Sequence, residues 1–496
     1  MASLHDLQSH VGKSPEPTPA TVAAVFILFI AAWSAYGLLS TQGMALHDDL
    51  TEAYVWGKEF QLGYNQHPPL WAWIAGLWFL VFPNREWAFV LLAVLNSATG
   101  LLGAWFLLGR FATGLTRQAA WLLLLCTPFY TFHCYMYNAN TIFLSIWPWT
   151  LFCFVRALES RRLSDSIWFG AMIGAALLSK YYAITLVLTC LTASAMHAEA
   201  RAYWRSASPW ISVVTASALL LPHIVWLVAN QAPPLQYALE LTGFSLPQTV
   251  AHSLLVLVEV VCLQLAIPAL IWLTATRISP ATQPHRDIPF LVVLVATPML
   301  LTAAFAIGFG LRIGAKMMVG IFPLVPLLAL QLMPRVDPRR LVWWTSRGIA
   351  IATILVVAAS PLIARIVQRP NDVNWAWPQR EAANAAIGLW KEVTGSRLAF
   401  VGGSKFFGSM AAVLSDDRPS GFVFLEFRRA PWVTPEALRQ GGLLALCIHY
   451  DGDCRGKAIA FGGPAIIHKN LTLTHTAFGK PRATMEFDIY IIPPAP

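Results

Sequence analysis

Residues His47–Leu70 read HDDLTEAYVWGKEFQLGYNQHPPL, and this stretch decides how the rest of the chain is read. It lies between two strongly apolar segments and carries four acids, Asp48, Asp49, Glu52 and Glu59. Asp49 and Glu52 are three apart, so on a helical turn both carboxylates share one face. Ala53, Val55, Trp56, Phe60 and Leu62 suit a helix lying in a membrane interface, with Tyr and Trp as anchors. Pro68 and Pro69 then stop it, because proline lacks the N–H that a helix needs and restricts the residue before it. Carboxylates held at a membrane surface between spans are costly and mark a functional site. The plain alternative is a solvated acidic loop.

Composition supports the membrane reading. The chain has 496 residues, 57% hydrophobic and 12% charged, with 21 Trp and 28 Phe, where soluble domains carry about 25% charged residues. The net charge of +9 is spread in short clusters between apolar runs, as cytoplasmic anchors are, with no long basic tract for nucleic acid. About 20 apolar residues cross a bilayer. On that measure eleven runs qualify, at 20–40, 86–109, 118–134, 140–157, 164–179, 181–197, 207–229, 251–274, 288–309, 316–333 and 343–367. The run from Leu70 to Pro83 is too short to cross and reads as a second interfacial or re-entrant helix. The first apolar run is too long for a cleaved signal and lacks a small-residue cleavage site, so it is expected to stay as a span.

With the N-terminus inside, one side receives Arg110, Arg117, Arg156, Arg161, Arg162, Arg201, Arg205, Arg277, Arg286, Arg335, Arg339, Arg340 and Arg347. The other receives only Lys58, Arg85, Lys180, Arg312, Lys316, Arg365 and Arg369 up to the last span. The positive-inside rule then makes residues 1–18 a cytoplasmic tail. Residues 19–367 become the membrane domain, with loop 41–69 outside, and residues 368–496 a periplasmic domain. In that last part Gln379–Lys391 has helical periodicity, while Arg397–Gly402, Gly442–Ile448 and Asp488–Ile492 suit strands of a small α/β fold. Cys447 and Cys454, seven apart, pair in an oxidising compartment or remain free thiols. The other five cysteines fall in or beside apolar spans and act as small hydrophobes.

The string D-x-x-E-A-Y-x-W-G-x-E-x-Q-L-G-Y-x-x-H-P-P-L-x-A-W, from Asp49 to Trp73, resembles the first external loop of the polyprenyl-phosphate-sugar glycosyltransferases of GT-C fold. That family holds protein O-mannosyltransferases, the aminoarabinose transferases of lipid A and the rhizobial galacturonosyltransferases of lipopolysaccharide. Looser likeness extends over Ser179–Ala183 and Pro222–Ala238. The resemblance implies an α-helical polytopic GT-C protein of about eleven transmembrane helices in the bacterial inner membrane. It implies an inverting, metal-independent transferase that takes a sugar from polyprenyl phosphate. The acceptor would be lipopolysaccharide, lipid A or another envelope glycan, and the QLGYxxHPPLxAW wording leans toward galacturonic acid as the sugar.

Such transfer needs a carboxylate to take the acceptor proton, cations for the phosphate leaving group and an apolar groove for the lipid. The resemblance makes Asp49 the base with Glu52 as partner. Relatives carry an adjacent Asp-Glu pair that this chain lacks, so Asp48 stays a rival. His67 fills the family's KPP/HPP position and contacts acceptor or phosphate, or simply starts a helix. Lys180, in S-K-Y-Y, faces outward against the charge bias and binds phosphate or snorkels to the interface. Arg312 and Lys316, four apart beside Gly310 and Gly314, clamp a phosphate or anchor the interface. Tyr64, Tyr181 and His223 join the substrate-binding set through the family segments that hold them, His223 having a hydrogen-bonded core role as its alternative. Asn138 and Asn140 match a commonly polar family position but also suit a helix cap.

VGGSKFFGSM (Val401–Met410) follows a strand, matches no nucleotide-binding motif and is assigned to acceptor contact or packing. Asp48, Asp49 and Glu52 offer oxygen ligands to a divalent ion as a minority option. No His/Cys spacing supports structural zinc. Two rival functions stand beside the first. One is a protein O-mannosyltransferase-like enzyme with a polypeptide acceptor. The other is a transporter or flippase, against which the lack of two related halves counts.

Overall fold

A computed structural model describes residues 17–495 apart from 241, 265, 268, 271–287, 334–335 and 369–373. Arg277, Arg286, Arg335, Arg369 and nearly all of the expected N-terminal tail therefore lie outside the described residues. The membrane part is helical: α1 Pro19–Ser40, α2 Asp48–Glu59, α3 Leu70–Val81, α4 Glu86–Leu108, α5 Gly114–Leu124, α6 Phe143–Ser160 and α7 Leu163–Ser179. It continues with α8 Ile184–Met196, α9 Ala200–Arg205, α10 Ser208–Ala229, α11 Pro233–Glu240, α12 Leu246–Gln264, α13 Ile288–Phe309, α14 Val325–Leu332 and α15 Pro338–Val367.

Among the described residues six helices, α1, α4, α10, α12, α13 and α15, are long and apolar enough to cross a membrane. The runs that become α6, α7 and α8 are shorter helices. Two of the eleven expected runs are built differently. The one at 118–134 is α5 followed by turns around Pro128, and the one at 316–333 is a single 3-10 turn at Ala315–Met318 followed by the short α14. Pro323 interrupts the second, and Pro326 sits in the first turn of α14, where the missing N–H costs no helix hydrogen bond. The end of the expected span 251–274 passes into residues not described.

The helix ends sort into two sets. Away from the acidic stretch, Arg110 pairs with Glu159, Arg161 with Glu199 at 2.9 Å and Arg156 with Asp165 at 2.7 Å. At the other end lie α2, α3 and the last part of the chain. That part holds a five-stranded sheet of order β2-β1-β3-β5-β4, with β1 Phe400–Gly403, β2 Ser420–Val423, β3 Leu443–Ile448, β4 Ile467–Ala477 and β5 Lys480–Ile492. β2, β1 and β3 run parallel, and β5 and β4 are antiparallel. Helices α16 Gln379–Thr394 and α17 Lys405–Leu414 cover one face; α18 Pro435–Gly441 and α19 Gly452–Gly462 complete the domain. Cys447 and Cys454 form a disulfide with Cα atoms 5.7 Å apart.

The helix expected to float in the interface is instead walled in. Ala53, Tyr54, Val55 and Trp56 of α2 are buried. Gly57 meets Gly76 of α3 so closely that a Cβ on either residue would fall 2.2–2.6 Å from backbone of the other helix. On another side Val55 packs on Gly421 of β2, and Lys58 donates to the Arg418 carbonyl. Tyr54 and Trp56 are thus core residues, and only Phe60 and Leu62 of the apolar set remain exposed. The difference arises because the C-terminal domain covers the face that sequence periodicity assigns to lipid.

Candidate active site

His47 caps α2: its Nδ1 accepts from the Asp49 backbone N–H at 3.2 Å and lies 2.9 Å from Asp48 Oδ1. The cap ends the apolar approach of α1 and places three acids on the first turns of a helix otherwise buried among aromatics. Asp48, Asp49 and Glu52 all line a cavity of about 670 Å³. His67 and Tyr181 line it too, as do Lys180 and Lys316. Another part of its wall, with Ile184, Phe305, Phe309, Leu311 and Met317, is apolar. One enclosure therefore joins carboxylates, two ammonium groups and a greasy side.

The polar half is wired through the turn before α6. Asn138 Nδ2 donates to Asp49 Oδ2 at 2.8 Å. Asn138 Oδ1 accepts the backbone N–H groups of Asn140 and Thr141 at 2.8 and 2.9 Å. Asn140 Oδ1 in turn accepts from Lys180 Nζ at 2.5 Å. Asn138 thus shapes the turn before α6, whose own N-cap Ile142 has no side-chain cap, and the two asparagines connect a carboxylate to a lysine. Lys180 occupies the break between α7 and the 3-10 turn Tyr181–Ala183. Burial pulls its ammonium down to about 8, with Lys316 adding to the effect and Asp49 opposing it.

Two other expected site residues, Tyr64 and His223, stand behind the cavity. Tyr64 is fully buried, stacked on Trp56 at 5.0 Å, and its hydroxyl donates to the Trp56 carbonyl at 2.6 Å. His223 has both ring nitrogens engaged, Nδ1 with the Leu62 carbonyl at 2.7 Å and Nε2 with the Tyr181 hydroxyl at 2.8 Å. Trp226 packs on Gly63 so tightly that a Cβ there would sit 2.3 Å from its ring. The segment around His223 thus holds the QLGY turn and orients Tyr181. Arg312 is exposed and off the cavity lining, whereas Lys316 is on it, so the two cations do not close on one point. His67 has its ring between Trp56 and Trp71, with centroids 6.4 and 6.0 Å away.

His47, absent from the sequence-derived set, joins Asp48 and Asp49 in a group whose ligand atoms lie within 4.8 Å of one another. Its nitrogen and two carboxylates would suit a divalent ion, though Nδ1 is already the acceptor for the Asp49 N–H. In the C-terminal domain, Val401–Met410 resolves to packing: Phe407 and Met410 are fully buried, and Ser404 Oγ donates to Asp451 Oδ2 at 2.8 Å.

Residues 66–226 match the family model described as dolichyl-phosphate-mannose-protein mannosyltransferase. No curated protein sequence matches the chain. Among solved structures, ArnT from Cupriavidus metallidurans bound to undecaprenyl phosphate shares 13% identity at a TM-score of 0.58, covering 95% of this chain and 98% of that one. The same protein in the apo state gives 13% identity, a TM-score of 0.57 and the same coverage. The chain thus has the fold of ArnT, and its residues 66–226 are similar to the mannosyltransferase family.

Proposed function

We propose that this chain takes a sugar from a polyprenyl-phosphate donor on the outer face of a bacterial inner membrane and passes it, with inversion, to lipopolysaccharide or lipid A. The observation that carries the reading is the cavity joining Asp49, through Asn138 and Asn140, to Lys180, beside an apolar wall fit for a prenyl chain. A solved protein of the same fold, ArnT, is described with undecaprenyl phosphate bound, which supports the choice of donor. The acceptor hydroxyl attacks the anomeric carbon, Asp49 takes its proton, and the bond from that carbon to the phosphate oxygen breaks. Lys180 receives the negative charge that develops on the leaving phosphate. His67 and Glu52 line the same cavity and flank the sugar.

The outward orientation rests on the arginine distribution and on the disulfide, a bond that persists in oxidising compartments. Lys316, which lines the same cavity as the acids, offers a partner for a uronic acid carboxylate, which supports galacturonic acid as the sugar. The protein-mannosyltransferase description of the matching family keeps a polypeptide acceptor as the second reading. Mass spectrometry of lipid A and core oligosaccharide from a deletion strain, complemented by wild type, Asp49→Asn or Asp48→Asn, tests the proposal. One missing glycosyl residue, restored by wild type and not by Asp49→Asn, is the expected result. Unchanged envelope glycans with an accumulating polyprenyl-linked sugar would move the acceptor to protein, and no change in either would overturn the transferase reading.

A further inference from the structure

Small residues draw α7 and α10 together. Gly170 meets α10 so closely that a Cβ there would fall 2.4 Å from the Ser212 carbonyl oxygen, and Ser212 Oγ donates to the Ser166 carbonyl at 2.8 Å. α8 (ITLVLTCLTASAM) has no glycine for such an approach. A groove of about 270 Å³ is left between α8 and α10, over a floor on α7. Phe169, Ile173, Cys190 and Tyr203 are buried in its walls, whereas Leu191, Val213 and Trp210 on its rim are exposed. On α10 the lining runs from Pro209 to Leu220, about 16 Å at roughly 1.5 Å per residue. That is about half of a hydrocarbon core roughly 30 Å thick, the depth of one leaflet.

The two ends of the groove differ in chemistry. Trp204 and Trp210 flank its mouth, with exposed Arg201 and Arg205 beside them on α9, the aromatic and basic anchors expected at a membrane surface. Arg161, at the same corner, already pairs with Glu199. At the inner end Leu177 and Leu220 stand three residues before Lys180 and His223. Val187 lines the groove, while Ile184 and Thr185, at the start of the same helix, line the cavity that holds Lys180. α8 therefore presents one face to each space.

We propose that this groove holds one acyl chain of an anionic glycerophospholipid from the leaflet at the arginine-rich end, its phosphate set at Arg201 and Arg205, and that the chain props α8 beneath the break at Lys180. Burying a chain here brings little net energy, because bilayer lipid is as apolar as the groove. The arginines, not the apolar wall, therefore decide which lipid stays. Phosphate suits their planar donors, and a zwitterionic lipid with the same chains brings no net charge to meet them. The support of α8 rests on the transferase reading, which makes the neighbouring cavity a donor site. The lipid site itself does not, since its preference for an anionic head group is measurable without turnover.

The test is native mass spectrometry of the full-length protein in detergent, with phosphatidylglycerol, phosphatidylcholine and undecaprenyl phosphate as probes. Wild type should hold one phosphatidylglycerol per chain in preference to phosphatidylcholine. Arg201→Gln together with Arg205→Gln, both at exposed positions, should weaken phosphatidylglycerol binding about thirtyfold. That equals about 2 kcal/mol at about 1.4 kcal/mol per factor of ten, the scale of two basic side chains at an anionic lipid surface. Ser217→Phe, exposed and partway along the lining, fills the groove and should displace the lipid with both arginines in place. Undecaprenyl phosphate should bind wild type about fivefold more tightly once phosphatidylglycerol is present, a coupling at the low end for two linked sites. The double arginine variant and Ser217→Phe should each lose that dependence. Equal retention of phosphatidylcholine, indifference to both arginines, or phosphatidylglycerol still held by Ser217→Phe would overturn the site. So would a second undecaprenyl phosphate that replaces phosphatidylglycerol and is lost in Ser217→Phe, since the groove would then belong to a prenyl chain. Undecaprenyl phosphate affinity unmoved by phosphatidylglycerol would overturn the support of α8. Failure of undecaprenyl phosphate to bind at all would instead count against the donor assignment and leave the lipid site standing.

Discussion

Asn138 sits between the two charged halves of the cavity, donating to Asp49 while its carbonyl oxygen organises the turn that presents Asn140 to Lys180. That bond fixes the position of the Asp49 carboxylate. Asn138→Ala is therefore expected to lower kcat roughly 10–100-fold through misplacement of that group; an unchanged kcat would reduce Asn138 to a turn former. Asp49→Asn removes the proposed base and should cost about 10²–10⁴-fold in kcat. The alkaline side of the pH profile belongs to Lys180, whose ammonium is lost as pH rises through about 8. Donor KM should rise there, and Lys180→Arg should push that limb upward because guanidinium stays charged. Asp49 and Lys180 are legible in the sequence because charges flanking apolar runs are few and conspicuous. His47 is not, since a histidine before Asp-Asp carries no spacing signal, and the link through Asn138 needs three dimensions to be seen.

The crossing of α2 and α3 depends on two glycines that meet backbone to backbone. Neither helix can retreat, because α2 is held from behind by Val55 on Gly421 and by Lys58 on the Arg418 carbonyl. Gly57→Ala or Gly76→Ala should thus cost about 1–3 kcal/mol as overpacking, or more if the helices part. A thermal melt in detergent gives the answer, a Tm unchanged from wild type being the contrary result. The sequence shows α2 as a helix with an acidic face, but its periodicity cannot say whether lipid or protein covers the apolar face. β3 and the end of β5 are readable as apolar runs, whereas β4, IHKNLTLTHTA, alternates with small polar residues and is largely exposed on one face. Runs broken by proline, at 118–134 and 316–333, match a span by composition, and only the backbone shows that they turn.

At the scale of the whole molecule, the last part of the chain packs against α2, the helix that carries the acids of the cavity. Asp488, on the strand paired with β3, is 1% exposed and gathers the domain's edge. It accepts from His449 at 2.9 Å, His468 at 2.7 Å and Asn470 at 3.2 Å, with Arg455 at 3.1 Å. Burial pushes its carboxyl up, but those hydrogen bonds and the Arg455 charge outweigh it and hold the group below its ordinary value. A carboxyl depressed in the folded state stabilises above its unfolded pKa, and that contribution disappears as pH falls through the folded value. The domain should therefore lose stability on acidification below the usual carboxylate range, and Asp488→Asn should flatten that part of the curve. Because the domain also walls in α2, the effect should reach the distant cavity. Acid-induced loosening of Asp488 is expected to lower undecaprenyl phosphate binding in parallel with the melting temperature. In Asp488→Asn both should be weak at neutral pH and nearly independent of acid. Measured together across pH, a Tm that falls while lipid binding holds would show that α2 keeps its place without the domain above it; a parallel fall would make the sheet domain a working part of the site rather than a neighbour of it.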